Sequence, residues 1–187
     1  MSGPDRARLP LRFDAAALAA EAAALPADAW VPHFNTRQYE GDWSGVALRA
    51  PVGGLTPLYP DPAAEAFEPT EALAACPRTA EALAAFPCPV TTARFLRLGP
   101  GSRITEHRDH KLSVPDGEAR LHVPLTTGPG VTFLLDGRPV DMAAGECWYL
   151  DLTRRHAVTN EGDRPRVHLV VDCVADDWLA RIVQTGP

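Results

Sequence analysis

From Pro89 onward the chain is a succession of short runs rich in Val, Leu, Phe and Thr, most of them closed by tight turns. Thr91 to Leu98 stops at Gly99-Pro100-Gly101, and Arg103 to Asp109 follows. Arg120 to Thr126 stops at Gly128-Pro129-Gly130. Val131 to Leu135 and Pro139 to Met142 flank Asp136-Gly137, a pair suited to a two-residue hairpin turn. Glu146 to Asp151, His156 to Asn160 and Arg166 to Asp172 complete the series. About eight short strands over roughly eighty residues leave no room for crossover helices, so the strands must pair antiparallel and close on one another. The expected fold is mainly β, a double-stranded β-helix (jelly roll), with a mouth lined by inward side chains where a small ligand can sit.

The first half has a different texture. Asp14 to Leu25 predicts a helix, with Asp14 as N-cap, a run of Ala and Leu, and Pro26 as its stop. Trp30 to Leu48 carries Trp30, Phe34, Tyr39 and Trp43 in irregular alternation and is expected to supply outer strands. Eight prolines from Pro51 to Pro89 point to ordered loop and short helix rather than sheet. Glu71 to Phe86 is helical in pattern but broken near Pro77, and Trp178 to Val183 predicts a short C-terminal helix. The 187 residues therefore suggest a single domain: a helical, loop-rich part at 1–90 packed on a β core at 91–175.

A net charge of -6 argues against a nucleic-acid groove. No apolar run has the length to cross a bilayer. Cys76, Cys88, Cys147 and Cys173 show no zinc spacing, and no signal peptide is evident. Free thiols in a cytoplasmic protein follow. The expected partner is a small-molecule substrate, with neither nucleic acid nor membrane; the oligomeric state is left open.

His107-Arg108-Asp109, then His156, then Arg166 carry the chemistry. Residues two apart on a strand share a face, so His107 and Asp109 can enter one cavity. His156 would join them from a late strand. Two imidazoles and a carboxylate on one side of a divalent ion leave positions for a chelating 2-oxo acid and for oxygen, the pattern of non-heme Fe(II) oxygenases. Arg166 balances the charge of 2-oxoglutarate, and its planar fork suits a carboxylate. The same donors also serve zinc. A zinc hydrolase or isomerase, or a non-catalytic small-molecule sensor, is the alternative, although no HExxH occurs.

Ala93 to His110, Ala119-Arg-Leu-His-Val-Pro-Leu125, Gly145 to Asp151, His156 to Asn160 and Arg166 to Asp172 together resemble the aspartyl/asparaginyl β-hydroxylase family. That family is similar to bacterial free-proline hydroxylases as well as to enzymes acting on peptide Asp and Asn. The resemblance is close over about residues 90 to 175 and weaker at Trp30 to Asn35 and Tyr39 to Trp43. It implies a cupin-like barrel using Fe(II) and 2-oxoglutarate to hydroxylate an amino acid, free, carrier-linked or within a peptide. By family pattern His107, Asp109 and His156 are the catalytic metal ligands and Arg166 binds the distal carboxylate of the cosubstrate. Arg120 and His122, also two apart, match a pair near its other carboxylate. Vertebrate peptide hydroxylases of the family lack the carboxylate ligand; Asp109 places this chain nearer the amino-acid enzymes. This sequence shows no extra C-terminal domain of the kind the proline enzymes carry, so proline specificity is not expected from the resemblance.

Around this set, His110 should face away from Asp109 as a neighbour of the site. His168 shares a face with Arg166. Trp148 and Tyr149 are core candidates. Asn160 can bind the turn after His156. Arg94 and Arg97 could each meet a substrate carboxylate or water, and Trp30, Asn35 and Tyr39 could line the pocket.

Overall fold

A computed structural model describes residues 3–54, 58 and 64–185. Among them the strands are β1 (Arg6–Arg12), β2 (Val31–Pro32), β3 (Tyr39–Glu40), β4 (Trp43–Pro51) and β5 (Phe67–Pro69) in the first half. The second half holds β6 (Val90–Leu98), β7 (Ser102–His107), β8 (Glu118–Thr126), β9 (Val131–Leu135), β10 (Arg138–Pro139), β11 (Glu146–Leu150), β12 (His156–Asn160) and β13 (Arg166–Val174). The helices are α1 (Ala15–Ala24), α2 (Glu71–Ala74), α3 (Pro77–Ala84) and α4 (Asp177–Thr185).

The strands form two antiparallel sheets. The larger runs β1-β11-β8-β13-β6-β4-β2, with β5 on β4; the smaller runs β10-β9-β12-β7-β3. Strands from each sheet alternate along the chain, the double-stranded β-helix expected. The turn at Asp136-Gly137 has φ of 48° and 73°, so both residues take the left-handed conformation that the two-residue hairpin requires. At Pro124, which has no N–H to give, the β8–β13 ladder shifts register.

Helix boundaries follow local chemistry. The Asp14 carboxylate caps α1 by accepting from the Ala17 N–H at 3.1 Å. Thr70 caps α2, and Pro77 opens α3 where its missing N–H costs nothing.

Two cores result. Leu18, Leu83, Phe95, Leu121, Leu169 and Leu179 lie between the larger sheet and the helices. Leu96, Leu98, Ile104, Phe133, Leu135 and Val158 lie between the sheets. Each fully buried side chain of this kind stabilises by about 1.5–3 kcal/mol. Along β6, β8 and β13 the alternation sends Phe95, Leu121 and Leu169 to the helices. It sends Arg94, His122 and Arg166 between the sheets.

Several expectations need correction. β1 was not anticipated; it pairs with β11 at the edge of the larger sheet, and β4 pairs deep in that sheet with β6. Residues 1–90 thus supply strands to both sheets. Part of the proline-rich stretch is strand, since β5 pairs with β4. Pro57, Pro60 and Pro62 lie outside the described residues. The strand expected at Pro139 to Met142 shrinks to β10, which Pro139 keeps at the sheet edge. The strand expected to end at Asp109 stops at His107.

Candidate active site

The antiparallel pairing of β7 and β12 sets His107 directly across from His156, with ring centroids 4.2 Å apart. Beyond His107 the chain leaves the ladder. Asp109 is held instead by its N–H, which donates to the Leu152 carbonyl at 2.9 Å. Its Oδ1 still comes within 3.8 Å of His107 Nε2. One ligand atom from each of His107, Asp109 and His156 lies within 4.8 Å of the others. Strand parity was the expected reason for this meeting; an irregular segment past β7, braced by Leu152, is the actual one.

The imidazoles are oriented for the purpose. His107 Nδ1 is 2.7 Å from the Thr105 carbonyl, and His156 Nδ1 is 3.0 Å from the Arg154 carbonyl. A carbonyl only accepts, so each Nδ1 carries the proton and each Nε2 keeps its lone pair. Burial lowers the pKa of His156, which favours the neutral ring a ligand needs.

The site opens into a cleft of about 710 Å³ between the sheets. On its β8–β13–β6 wall the Arg120 Nη1 donates to Asp109 Oδ2 at 2.8 Å. The same guanidinium donates to both oxygens of Asp172, at 2.7 and 3.0 Å. Asp172 Oδ2 also accepts from Arg94 Nη2 at 2.7 Å and Thr92 Oγ1 at 3.0 Å. Burial alone would raise the Asp172 pKa, but Arg120 and Arg94 outweigh it and hold the carboxyl well below its ordinary range. Arg120 was expected beside the cosubstrate; its fork is occupied by these two carboxylates.

Arg166 is the opposite case. It is 3% exposed, and its Nη2 meets His168 Nδ1 at 3.0 Å. Its Nε has no partner among the described residues. Burial pulls its pKa down to about 9, with no carboxylate nearby among the described residues to offset the loss of water. His122, 5% exposed, has both ring nitrogens unpartnered. Its pKa lies well below the ordinary value through burial and then the Arg166 charge. Arg166 and His122 both border the cleft. Among the described residues, this cavity wall thus holds a guanidinium that meets no carboxylate and an imidazole with no hydrogen-bond partner, a chemistry suited to an acidic ligand.

The remaining predicted residues divide. Arg94, Asn35 and the exposed His110 border the cleft. Arg97 lies on the other face of β6, 4.5 Å over the Trp30 ring, and Trp30 stacks on Phe95. Tyr39 packs edge-on against Trp43 in the inter-sheet core. Tyr149 is buried on the helix side, its hydroxyl accepting from the Val114 N–H. Trp148 is partly buried against the inter-sheet core. Asn160 donates to the carbonyls of Leu98 and Arg164 and accepts from Gly162 N–H, tying the turn before β13.

Two residues escaped the sequence reading. Asp172 shares the parity of Arg166 and His168 on β13, a signal that was available. His33 sits in the N-terminal segment, its ring 3.5 Å from that of Trp43. Its Nδ1 accepts from the Asn35 N–H, and burial followed by the Arg94 charge brings its pKa to about 4. Nothing in its neighbours' spacing marks it.

Comparison with known proteins gives a family and a fold. Residues 12–176 match the family described as aspartyl/asparaginyl beta-hydroxylase. An L-proline cis-4-hydroxylase of Rhizobium meliloti (strain 1021) is 30% identical over 83 residues, 44% of this chain and 29% of the relative. The match therefore spans less than a third of that relative's length. A Burkholderia pseudomallei oxidoreductase of the 2OG-Fe(II) oxygenase family aligns over 92% of this chain and 86% of its own, at 18% identity and TM-score 0.58. A Pseudomonas putida prolyl-4-hydroxylase aligns over 92% and 94%, at 18% identity and TM-score 0.54. At such identities these two structures speak to the fold.

Proposed function

The chain belongs to the aspartyl/asparaginyl β-hydroxylase family, and from that membership and the cleft we propose an Fe(II)- and 2-oxoglutarate-dependent hydroxylase acting on an amino acid or an amino-acid conjugate. The observation that carries the proposal is the pairing, in one cleft, of the His107–Asp109–His156 cluster with a buried Arg166 that has no carboxylate partner among the described residues. Bound together, ferrous ion and 2-oxoglutarate supply activation of dioxygen, with succinate and carbon dioxide as coproducts and one oxygen atom delivered to a C–H bond.

His107 and His156 would hold the iron through Nε2 and Asp109 through Oδ1, all from one side. Arg166 would take the distal carboxylate of 2-oxoglutarate. The charges support this: iron at +2, Asp109 at -1, the diacid at -2 and Arg166 at +1 sum to zero. Without the diacid the guanidinium stays buried and unpaired, which is costly. His122 supplies a ring N–H toward the cosubstrate, satisfying an atom that otherwise has no partner. Arg94 and Arg120 share one buried carboxylate, Asp172, and Glu118 at the start of β8 is exposed, so the buried part of this wall keeps an excess of one positive charge when Asp109 serves the metal. An anionic group on the substrate, such as an amino-acid carboxylate, suits it. The protein's contribution is to orient the target carbon and exclude water.

Among the described residues no helix is long and apolar enough to cross a membrane. The four cysteines are free, which supports a reducing, cytoplasmic setting.

The test is a panel of free amino acids incubated with protein, Fe(II) and 2-oxoglutarate, read by mass spectrometry. Succinate should rise in step with a product carrying one added oxygen. His107→Ala should reduce both to background. Undiminished turnover in that variant would remove the metal site from the reaction.

A further inference from the structure

We propose that Asp172 is a positioning residue for the metal-binding carboxylate: acting through Arg120, it keeps one oxygen of Asp109 facing the paired imidazoles and the other tied back to the large sheet. This rests on the assignment of Asp109 as a metal ligand in the proposed function.

Asp109 needs such help. It lies past the end of β7, so no ladder fixes it, and its backbone is anchored by the single bond to Leu152. Its side chain is 24% exposed. A carboxylate just past a strand end, free to change rotamer, can swing away or present both oxygens to a cation. The bond from Arg120 Nη1 to Oδ2 removes both options and leaves Oδ1 beside His107.

Arg120 is aimed in turn. Asp172 faces it across the β8–β13 ladder and faces Thr92 across the β13–β6 ladder. Both oxygens of Asp172 accept from the Arg120 fork, which fixes the plane of the guanidinium as well as its place. Arg94 and Thr92 hold Asp172 from the far side. The line from β6 to the metal site is therefore Thr92 and Arg94, then Asp172, then Arg120, then Asp109. A lysine could supply the charge of Arg120 but not a rigid fork spanning two carboxylates.

Charge and positioning predict opposite signs at Arg120. Its positive charge beside a dication site repels the metal, so on Coulomb grounds its removal should tighten metal binding. If Arg120 positions Asp109, its removal should weaken binding.

The experiment is titration of the full chain with Co(II), followed by visible absorption, without 2-oxoglutarate or turnover. Arg120→Gln should weaken Co(II) binding by about 10–100-fold, the range for loss of a residue that orients a ligand. Arg120→Lys should lose most of the same factor despite its retained charge. Asp172→Asn should weaken binding in the same range. The double variant should bind within about threefold of Arg120→Gln alone, since both act on one chain of contacts. Wild-type or tighter Co(II) binding in Arg120→Gln overturns the proposal, as do multiplied losses in the double variant. So does wild-type affinity in Asp172→Asn. Should Asp172→Asn not fold, Thr92→Val removes one donor to Asp172 and should weaken binding by about two- to tenfold; unchanged affinity there is equally decisive against it. A wild-type chain that takes up no Co(II) would remove the metal site itself and the proposed function with it. Failure confined to the Arg120 and Asp172 variants leaves that function standing.

Discussion

The same three strands, β6, β8 and β13, present two inward faces of opposite character, one closed by the helices and one lining the cleft. Toward the helices they offer Phe95, Leu121, Val123, Leu169 and Val171, a face closed by apolar contact. Toward the smaller sheet they offer Arg94, Arg120, His122, Arg166, His168 and Asp172. The first face is interchangeable in detail, because any well-packed apolar set of the right volume would serve. The second is not, because buried charge and imidazole cost stability unless each finds its partner. Arg94, Arg120 and Asp172 find theirs within the protein. Arg166 meets only the His168 ring and His122 has no partner among the described residues, so a ligand is what would complete them. One face makes the fold stable; the other uses some of that stability to hold a reactive site.

The largest stability effect expected from this contrast is at Leu121, fully buried on the helix side. Leu121→Ala should cost about 2–5 kcal/mol in denaturant unfolding. Co(II) affinity of the folded protein should not change. A matching loss of affinity would mean that the two faces are coupled.

Arg166→Met should do the reverse. Binding of 2-oxoglutarate, measured calorimetrically, should weaken by about 10–100-fold, the value of charge-assisted hydrogen bonds worth about 1.5–3 kcal/mol. Unfolding stability should hold or rise, because an unpaired buried charge is replaced by an apolar chain. A large loss of stability would place Arg166 in the scaffold.

The smallest effect is that of pH. Burial is the first cause of the lowered pKa of His33, His122, His156 and His168. Below about pH 6.5 the unfolded chain takes up protons that the folded chain refuses, so stability falls as pH drops. For His33 the window runs from 6.5 to about 4. Asp172, held far below its ordinary value, stays charged across it. The metal-free protein should melt at a lower temperature at pH 5 than at pH 7. Leu121→Ala should keep that slope, and His122→Phe should flatten it. Equal slopes in both variants would deny that His122 carries part of the acid sensitivity.

Much of this was legible in the residues. Gly-Pro-Gly punctuation and Asp136-Gly137 marked the turns, and strand parity grouped Arg166 with His168 and Arg120 with His122. β1 was overlooked although its sequence alternates, with Ala7 and Leu9 buried and Arg8 outward. Asp172 was overlooked although it keeps the parity of Arg166. His33 was passed over although Trp30 to Asn35 carried the weaker part of the resemblance, because it approaches the cleft from an irregular segment where no strand parity marks it and packs there on Trp43.

What the chain alone determined is periodicity and chemistry: which stretches pair as strands, which side chains share a face, and that two imidazoles, a carboxylate and an arginine were the groups to watch. These follow from local rules of backbone geometry and residue type. Only the tertiary structure decided that Asp109 reaches the imidazoles from an irregular segment past β7, and that Arg120 is bound by Asp109 and Asp172 while Arg166 meets no anion among the described residues. Those outcomes depend on distances across strands far apart in sequence, where a few tenths of an ångström separate a bonded charge from an unpaired one.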